Sequence, residues 1–426
     1  MPTLLEQKVT RQNLPALLDG DLEFHGASSS YASHSLHAFA AKFPPQLPRL
    51  FIEQLTDPGD IVLDPMVGSG TTVVEAHLLG RRGIGVDIDP LALLIGKVKT
   101  TALSSRMALE AGQRVLQRAA PLLADQKQIT RFLQDLTDEN RKFIDYWFTP
   151  DTQRDLAALI LAIEEEGGQA RDFLHLVFSS IIITKSGGVS LARDLAHSRP
   201  HLDQNKTPRN ALDQYRSRLL KSAKALDELD LHHNGIEMKH GDCRRLPVEA
   251  DSVHLIVTSP PYANAIDYMR AHKFSLVWLG QSLSFLSKLR NEYIGSEQVS
   301  ALSHVSLPPT TTVTISTLES RDARKAKILR KYFADMRAAM SEMCRVLKPG
   351  RAAIIVVGSS TMRGLKIETA TCLAELGVDL GFNLMGIRER RLDRNRRMMP
   401  ARFQNNGQSL IEQRMHEEHV IAFLKP

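Results

Sequence analysis

Two short stretches carry residues arranged for chemistry. "VTSPPYA" at 257–263 ends an apolar run with a hydroxyl, two prolines and a phenol. Consecutive prolines remove two backbone N–H donors, fix two φ angles and push Ser259 towards an extended backbone. The result is a stiff shelf of free carbonyls with Tyr262 at its edge. A turn needs one proline at most, so turn-making alone accounts poorly for the pair. "DPMVGSG" at 64–70 lies between "IVL" and "TTVVEAHLL". There Gly68 and Gly70 permit a sharp strand-to-helix turn and a close approach by a ligand.

Three acids narrow the ligand. Asp64 ends the strand before the glycine turn, Asp87 ends the next in "GVDID", and Asp242 ends a third in "HGDC". A dinucleotide fingerprint wants a third glycine where Val73 stands, and a pyrophosphate gains nothing from Asp64 beside it. Asp64 suits a ligand carrying an ammonium and a sulfonium. Asp87 can accept both hydroxyls of a ribose, and Asp242 is placed to accept from an adenine amino group. Together they describe S-adenosylmethionine better than NAD.

The elements that must position these residues are legible from pattern. "HAFAAKFPPQLPRLFIEQL" (37–55) reads as a loop entering a helix, with Pro44 and Pro45 where a first turn tolerates them. Residues 59–89 give strand, glycine turn, helix, strand, a parallel βαβ unit. From about 100 to 235 the pattern is mainly helical, broken by the polar stretch 184–210. Strands resume at "IEMKHGDCRRL" and "DSVHLIVTSPPY". The Ser/Thr-rich stretch 296–320 reads as a surface loop. "FADMRAAMSEMCRVLKPGRAAIIVVGSS" reads as a helix, a Pro-Gly turn and a buried strand, and "EEHVIAFLKP" as a closing strand. The simplest assembly is one doubly wound α/β sheet interrupted by a helical insertion. Its expected divisions are 1–99 (N-terminal segment and cofactor motifs), 100–235 (helical insertion) and 236–426 (paired-proline turn and basic C-terminal cluster).

Composition fits that picture. The 426 residues are 43% apolar and 24% charged, ordinary values for a soluble globular protein. No apolar run has membrane-spanning length, and the first residues lack a signal-peptide core. Cys243, Cys344 and Cys372 have neither disulfide nor zinc-site spacing, which suits a reducing cytoplasm without a metal. A net charge of +6 is mild, but residues 386–403 hold seven arginines against two acids. So dense a patch favours phosphate contact. The run 321–331 reads instead as a solvated helix face.

"DPMVGSGTT", "GVDIDP", "GDCRRL" and "TSPPY", in that order, resemble the motifs of the amino-directed DNA methyltransferases, and "AKFPPQLPRLFI" is similar to their N-terminal cofactor motif. Ser rather than Asp before the prolines most resembles the N4-cytosine branch. Met66 departs from the family's usual phenylalanine and weakens an expected aromatic contact to the cofactor. The resemblance covers roughly 37–100 and 236–426. It implies a class I S-adenosylmethionine-dependent methyltransferase (Rossmann-like) α/β fold, with seven strands and the last antiparallel. The glycine turn would follow strand 1 and the catalytic turn strand 4. The implied cofactor set is Phe43, Asp64, Pro65, Gly68, Ser69, Gly70, Thr71, Asp87, Asp242 and Cys243.

The catalytic set is Ser259, Pro260, Pro261 and Tyr262. A cytosine exocyclic amine is a poor nucleophile because its lone pair is delocalised into the ring. The Ser259 hydroxyl and Pro260 carbonyl would accept its two N–H bonds, pre-fixed by the prolines. Tyr262 would stack on the flipped base. Carbon-5 methylation needs a cysteine nucleophile, usually after proline, and no Pro-Cys pair exists here. The expected substrate is double-stranded DNA, with a cognate restriction endonuclease as companion, in the cytoplasm at the nucleoid. Adenine N6 is the nearest alternative and an RNA amine the next. Candidate DNA contacts are Lys185, Arg193 and Arg199 in the insertion break and Arg394, Arg396 and Arg397 in the arginine cluster, with the 296–320 stretch as a competitor.

Overall fold

The central strands run apolar because both of their faces are covered. The structure, a computed structural model, describes residues 13–40, 42–184, 187–195, 200–228, 235–263, 267–296, 305–392 and 417–426. Seven strands form one sheet: β1 (Ile61–Asp64), β2 (Arg82–Asp87), β3 (Ile236–His240), β4 (Val253–Thr258), β5 (Leu347–Gly358), β6 (Asn383–Arg391) and β7 (Glu417–Leu424). Their order is β6-β7-β5-β4-β1-β2-β3. All neighbours pair in parallel except β7, which runs antiparallel between β5 and β6. This is the seven-stranded sheet with an antiparallel last strand that the motifs imply.

Side chains alternate across the sheet with period two. Val62, Leu255, Val257, Ile354, Val356 and Val420 face one side, under helix α1 (Gln46–Leu55) and Leu14 and Leu18 of the N-terminal segment. Leu63, Ile256, Ile355, Val357, Ile421 and Phe423 face the other. The long helix α13 (Ala323–Val346) and α14 (Thr369–Asp379) cover that second side. The turn expected at Pro349-Gly350 is absorbed into β5, where Gly350 takes φ +76° and its amide donates to the Lys425 carbonyl at 2.9 Å.

Helices α2 (Thr71–Leu78) and α3 (Pro90–Lys99) follow β1 and β2. The insertion then contributes α4 (Ser105–Asp125), α5 (Lys127–Gln134), α6 (Asp138–Trp147), α7 (Pro150–Glu164), α8 (Gly168–Ile182) and α9 (Ala211–Leu226). Its apolar face closes on Leu91, Ile95 and Val98 of α3, and on Phe274 and Trp278 in and after α10 (Met269–Leu276). Trp278 lies against Phe148 and Phe178, with ring centroids at 5.6 and 6.5 Å. The insertion therefore shares one core with elements on both sides of it in sequence.

Helix α11 (Leu283–Glu292) follows. The loop expected over 296–320 is corrected in part. Pro309–Glu319 is a helix, α12, which starts at a proline and buries Ile315 and Leu318 against α13. Its threonines satisfy their hydroxyls on the preceding turn, Thr314 to the Thr310 carbonyl and Thr317 to the Val313 carbonyl, both at 2.8 Å. Threonine back-bonding hides a helix from a composition-based reading. Residues 297–304 of that stretch lie outside the described residues.

Both tryptophans, Trp147 and Trp278, sit in or against the insertion core. In urea, their fluorescence and the far-ultraviolet circular dichroism of the whole chain are expected to change in one coincident transition. Phe274→Ala should shift both by about 3–5 kcal/mol. Separated midpoints would show that the insertion unfolds on its own.

Candidate active site

The acids and the two motifs converge at the carboxyl ends of β1, β2, β3 and β4, where the strand order reverses about β1 and β4. Open α/β sheets bind ligands at such a point. A cleft of about 910 Å³, solvent mouth included, opens there. Phe43, Asp64, Pro65, Gly68, Ser69, Thr71, Asp87, Asp242 and Cys243 of the expected cofactor set line it, together with Ser259 and Pro261 of the catalytic turn. Gly70, Pro260 and Tyr262 are not among its lining residues.

The glycine turn is shaped by close contacts. Gly68 (φ +46°) brings its backbone under the Phe39 ring, which a Cβ there would meet at 3.3 Å. Gly70 (φ +78°) caps α2, and a Cβ on it would lie 3.1 Å from the Cα of Gly96 on α3. Gly96 thus serves the close packing for which a fingerprint third glycine is missing at Val73. The Gly68 amide donates to Asp87 Oδ2 at 2.9 Å, tying the turn to the end of β2. Beneath it the Lys99 ammonium, fully buried, donates to the Ser69 carbonyl at 2.7 Å.

Among the described residues, buried Asp64 and half-buried Asp87 meet no cation in their hydrogen bonds. Asp64 accepts from the Thr258 hydroxyl at 2.7 Å and the Met66 amide at 3.2 Å. Asp87 accepts from the Gly68 and Asp89 amides, both at 2.9 Å. Burial pushes Asp64 up to about 6, and burial with the neighbouring Asp89 charge pushes Asp87 up to about 7. Asp242 differs. Burial would raise it, but Arg244 grips both carboxylate oxygens at 2.7–3.0 Å and holds it below the ordinary carboxylate range. Arg244 also reaches Asp335 at 2.8 Å.

Several site residues had no motif to announce them. Asp89, second acid of "GVDID", caps α3 through the Leu91 amide at 2.8 Å and meets His272 Nδ1 at 2.5 Å, with both side chains buried. Phe39 and Tyr268 stack with centroids 5.1 Å apart, and both line the cleft. They supply aromatic surface where Met66 lacks it. Only the order "GVDID" gave any sequence signal, for Asp89. Fully buried Glu75 on α2 gathers the N-terminal segment through the Tyr31 hydroxyl (2.6 Å), His34 (2.7 Å) and Arg49 (3.2 Å).

A family model described as DNA methylase matches residues 20–97, which hold the N-terminal segment, the glycine turn and Asp87. In that stretch the chain resembles a DNA methylase. It is similar to the type II methyltransferase M.MvaI of Kocuria varians, 23% identical over 83% of each chain. The type II methyltransferase M.AvaI of Nostoc sp. is 22% identical over 76% of this chain and 73% of that one. M.MjaII of Methanocaldococcus jannaschii is 38% identical over 97 residues, 22% of this chain and 18% of that one.

The cleft suits S-adenosylmethionine, the cofactor that the motifs imply. Two carboxylates, one buried and one half-buried, with no cation among the described residues match a ligand that brings its own positive charge. The expected DNA contacts divide. Arg193 pairs with Asp203 at 2.5 Å on a two-residue ladder joining Ala192–Arg193 to His201–Leu202. Lys185, Arg199, Arg394, Arg396 and Arg397 lie outside the described residues. The arginine cluster as a phosphate patch is corrected at Arg390, which is 1% exposed and paired with Glu418, leaving Arg388 and Arg391 exposed on β6.

The raised carboxylates set a pH dependence. Below pH 7 Asp87 takes up a proton, and a neutral acid attracts neither cation nor ribose hydroxyl as well. Cofactor affinity, measured by titration calorimetry, is expected to rise about tenfold from pH 6 to pH 8, with proton release near pH 6.5. Asp87→Asn should flatten that profile. A profile equally steep in the variant would assign the effect elsewhere.

Proposed function

We propose that this DNA methyltransferase acts on the N4 amine of a flipped cytosine within a short specific site of double-stranded DNA. The observation that carries the reading is that Ser259 and Pro261 line the same cleft as Asp64, Gly68 and Asp87. S-adenosylmethionine supplies an electrophilic methyl group when bound. The chain's own part is to hold the amine. The Ser259 hydroxyl and the Pro260 carbonyl accept from its two N–H bonds, drawing the nitrogen towards tetrahedral geometry with its lone pair aimed into the cleft. The prolines hold both acceptors in place beforehand, so little reorganises during reaction. Phe43, Asp64, Pro65, Gly68, Ser69, Gly70, Thr71, Asp87, Asp242 and Cys243 form the cofactor site.

A neutral serine next to the prolines favours cytosine over adenine N6, the alternative that shares this geometry. Tyr262 stacks on the extruded base. Phosphates are met by cations at the cleft's rim. Arg270 and Arg290 converge there on Asp267 at 3.1 and 2.5 Å, close to lining residues Tyr268 and Glu292. Arg193, Lys185, Arg199, Arg394, Arg396 and Arg397 extend that contact. The relatives' type II names support a role in restriction and modification beside a cognate endonuclease. Such a role places the protein in the cytoplasm on the nucleoid. No helix among the described residues is long and apolar enough to cross a membrane.

Plasmid DNA methylated in vitro, digested to nucleosides and weighed, is expected to contain N4-methylcytosine. N6-methyladenine instead would replace the base assignment. Tyr262→Ala should keep cofactor binding and lose most methyl transfer, since base–aromatic stacking contributes about 1–3 kcal/mol. Near-normal turnover would remove the stacking role.

A further inference from the structure

A buried polar chain runs from the edge of the sheet to the catalytic turn. Arg390 on β6 and Glu418 on β7 face each other in register, 1% and 6% exposed. Arg390 Nη1 donates to Glu418 Oε2 at 3.0 Å. The other oxygen, Oε1, accepts the Tyr262 phenol hydrogen at 2.7 Å. The Ser259 hydroxyl, three residues earlier on the proline-stiffened turn, bears on the same phenol.

Fold stability is a poor reason for this arrangement. Desolvating a buried ion pair offsets most of its attraction, and apolar residues of similar volume often do as well. What the pair fixes is the direction of a proton. A carboxylate paired with guanidinium accepts and does not donate. The phenol must therefore donate to Glu418, which leaves its oxygen free only to accept. The Ser259 proton is drawn towards that oxygen, and Ser259 Oγ turns lone pairs, not hydrogen, to the cleft. A serine without this chain can rotate its hydrogen either way.

We propose that Glu418 and Arg390 are positioning residues that orient the Tyr262 phenol and, through it, make Ser259 a pure acceptor towards an amine. The proposal rests on the reading of Ser259 as the group that holds the target amine. It explains how a neutral hydroxyl serves where a carboxylate, which only accepts, would need no such help.

Two variants test it in the full chain. Tyr262→Phe keeps the ring and both charges and removes only the phenol oxygen. Glu418→Gln keeps the shape, but its amide must give its oxygen to Arg390, which turns the NH₂ towards the phenol and reverses the chain. Each is expected to lower kcat about tenfold to a hundredfold, with KM for DNA and cofactor affinity within about twofold. The double variant should be no slower than the slower single. A merely structural role would instead lower the melting temperature and leave kcat of the folded fraction unchanged. Wild-type kcat in Tyr262→Phe, or losses that multiply in the double variant, would overturn the proposal alone. A wild type that bound S-adenosylmethionine but methylated no DNA would remove the underlying reading, and the proposal with it.

Discussion

The hydrogen bond from the Gly68 amide to the Asp87 carboxylate is the constraint from which the site follows. It joins the turn after β1 to the end of β2 and needs Gly68 at positive φ. With that turn fixed, Gly70 sits against Gly96, α2 and α3 pack closely, and the α2 amino terminus faces the cleft. Asp87 is consequently committed to a half-buried position at the strand end, where its charge is costly without a partner. Lys99 below Ser69 braces the same turn from behind. The ligand site is thus a by-product of how two strand ends are tied together.

The acids around this turn fall into two kinds. Glu75 meets Arg49 and His34, Asp89 meets His272, Asp242 meets Arg244, and Glu418 meets Arg390. Each has a basic side chain of the fold as its partner. Asp64 and Asp87 meet amides and a hydroxyl instead. Hydrogen bonds hold these two in place without cancelling their charge. Electrostatic incompleteness at two positions, amid completeness at the others, distinguishes a surface built for a cationic ligand from a merely acidic one.

Much of this was legible in the sequence, for a physical reason. Strand ends that bear acids, glycines at positive φ and paired prolines are local requirements, so their residues declare themselves in short stretches. The period-two pattern of β4 and β7 did the same for the sheet. What stayed hidden depends on long-range contact. Nothing in "DYMRAH" announces that Tyr268 stacks on Phe39 or that His272 meets Asp89 across 183 positions. Arg390 looked like one cation in a basic run until β7 placed Glu418 opposite it. Helix α12 was missed because its threonines satisfy themselves.

The segment from Tyr268 to Trp278 links the two halves of the molecule. Near its start, Tyr268 lines the cleft and stacks on Phe39, and buried His272 meets the lining residue Asp89. Its last residues, Phe274 and Trp278, are buried among Phe143, Trp147, Phe148 and Phe178 of the insertion. A close-packed core transmits displacement because it has little free volume to absorb it. A shift of the insertion helices must therefore be felt along α10 at the wall of the cleft, one helix away. The insertion is joined to the site by packing as well as by chain connection, and that is the arrangement a protein needs if contacts made by one part are to set the shape of the other.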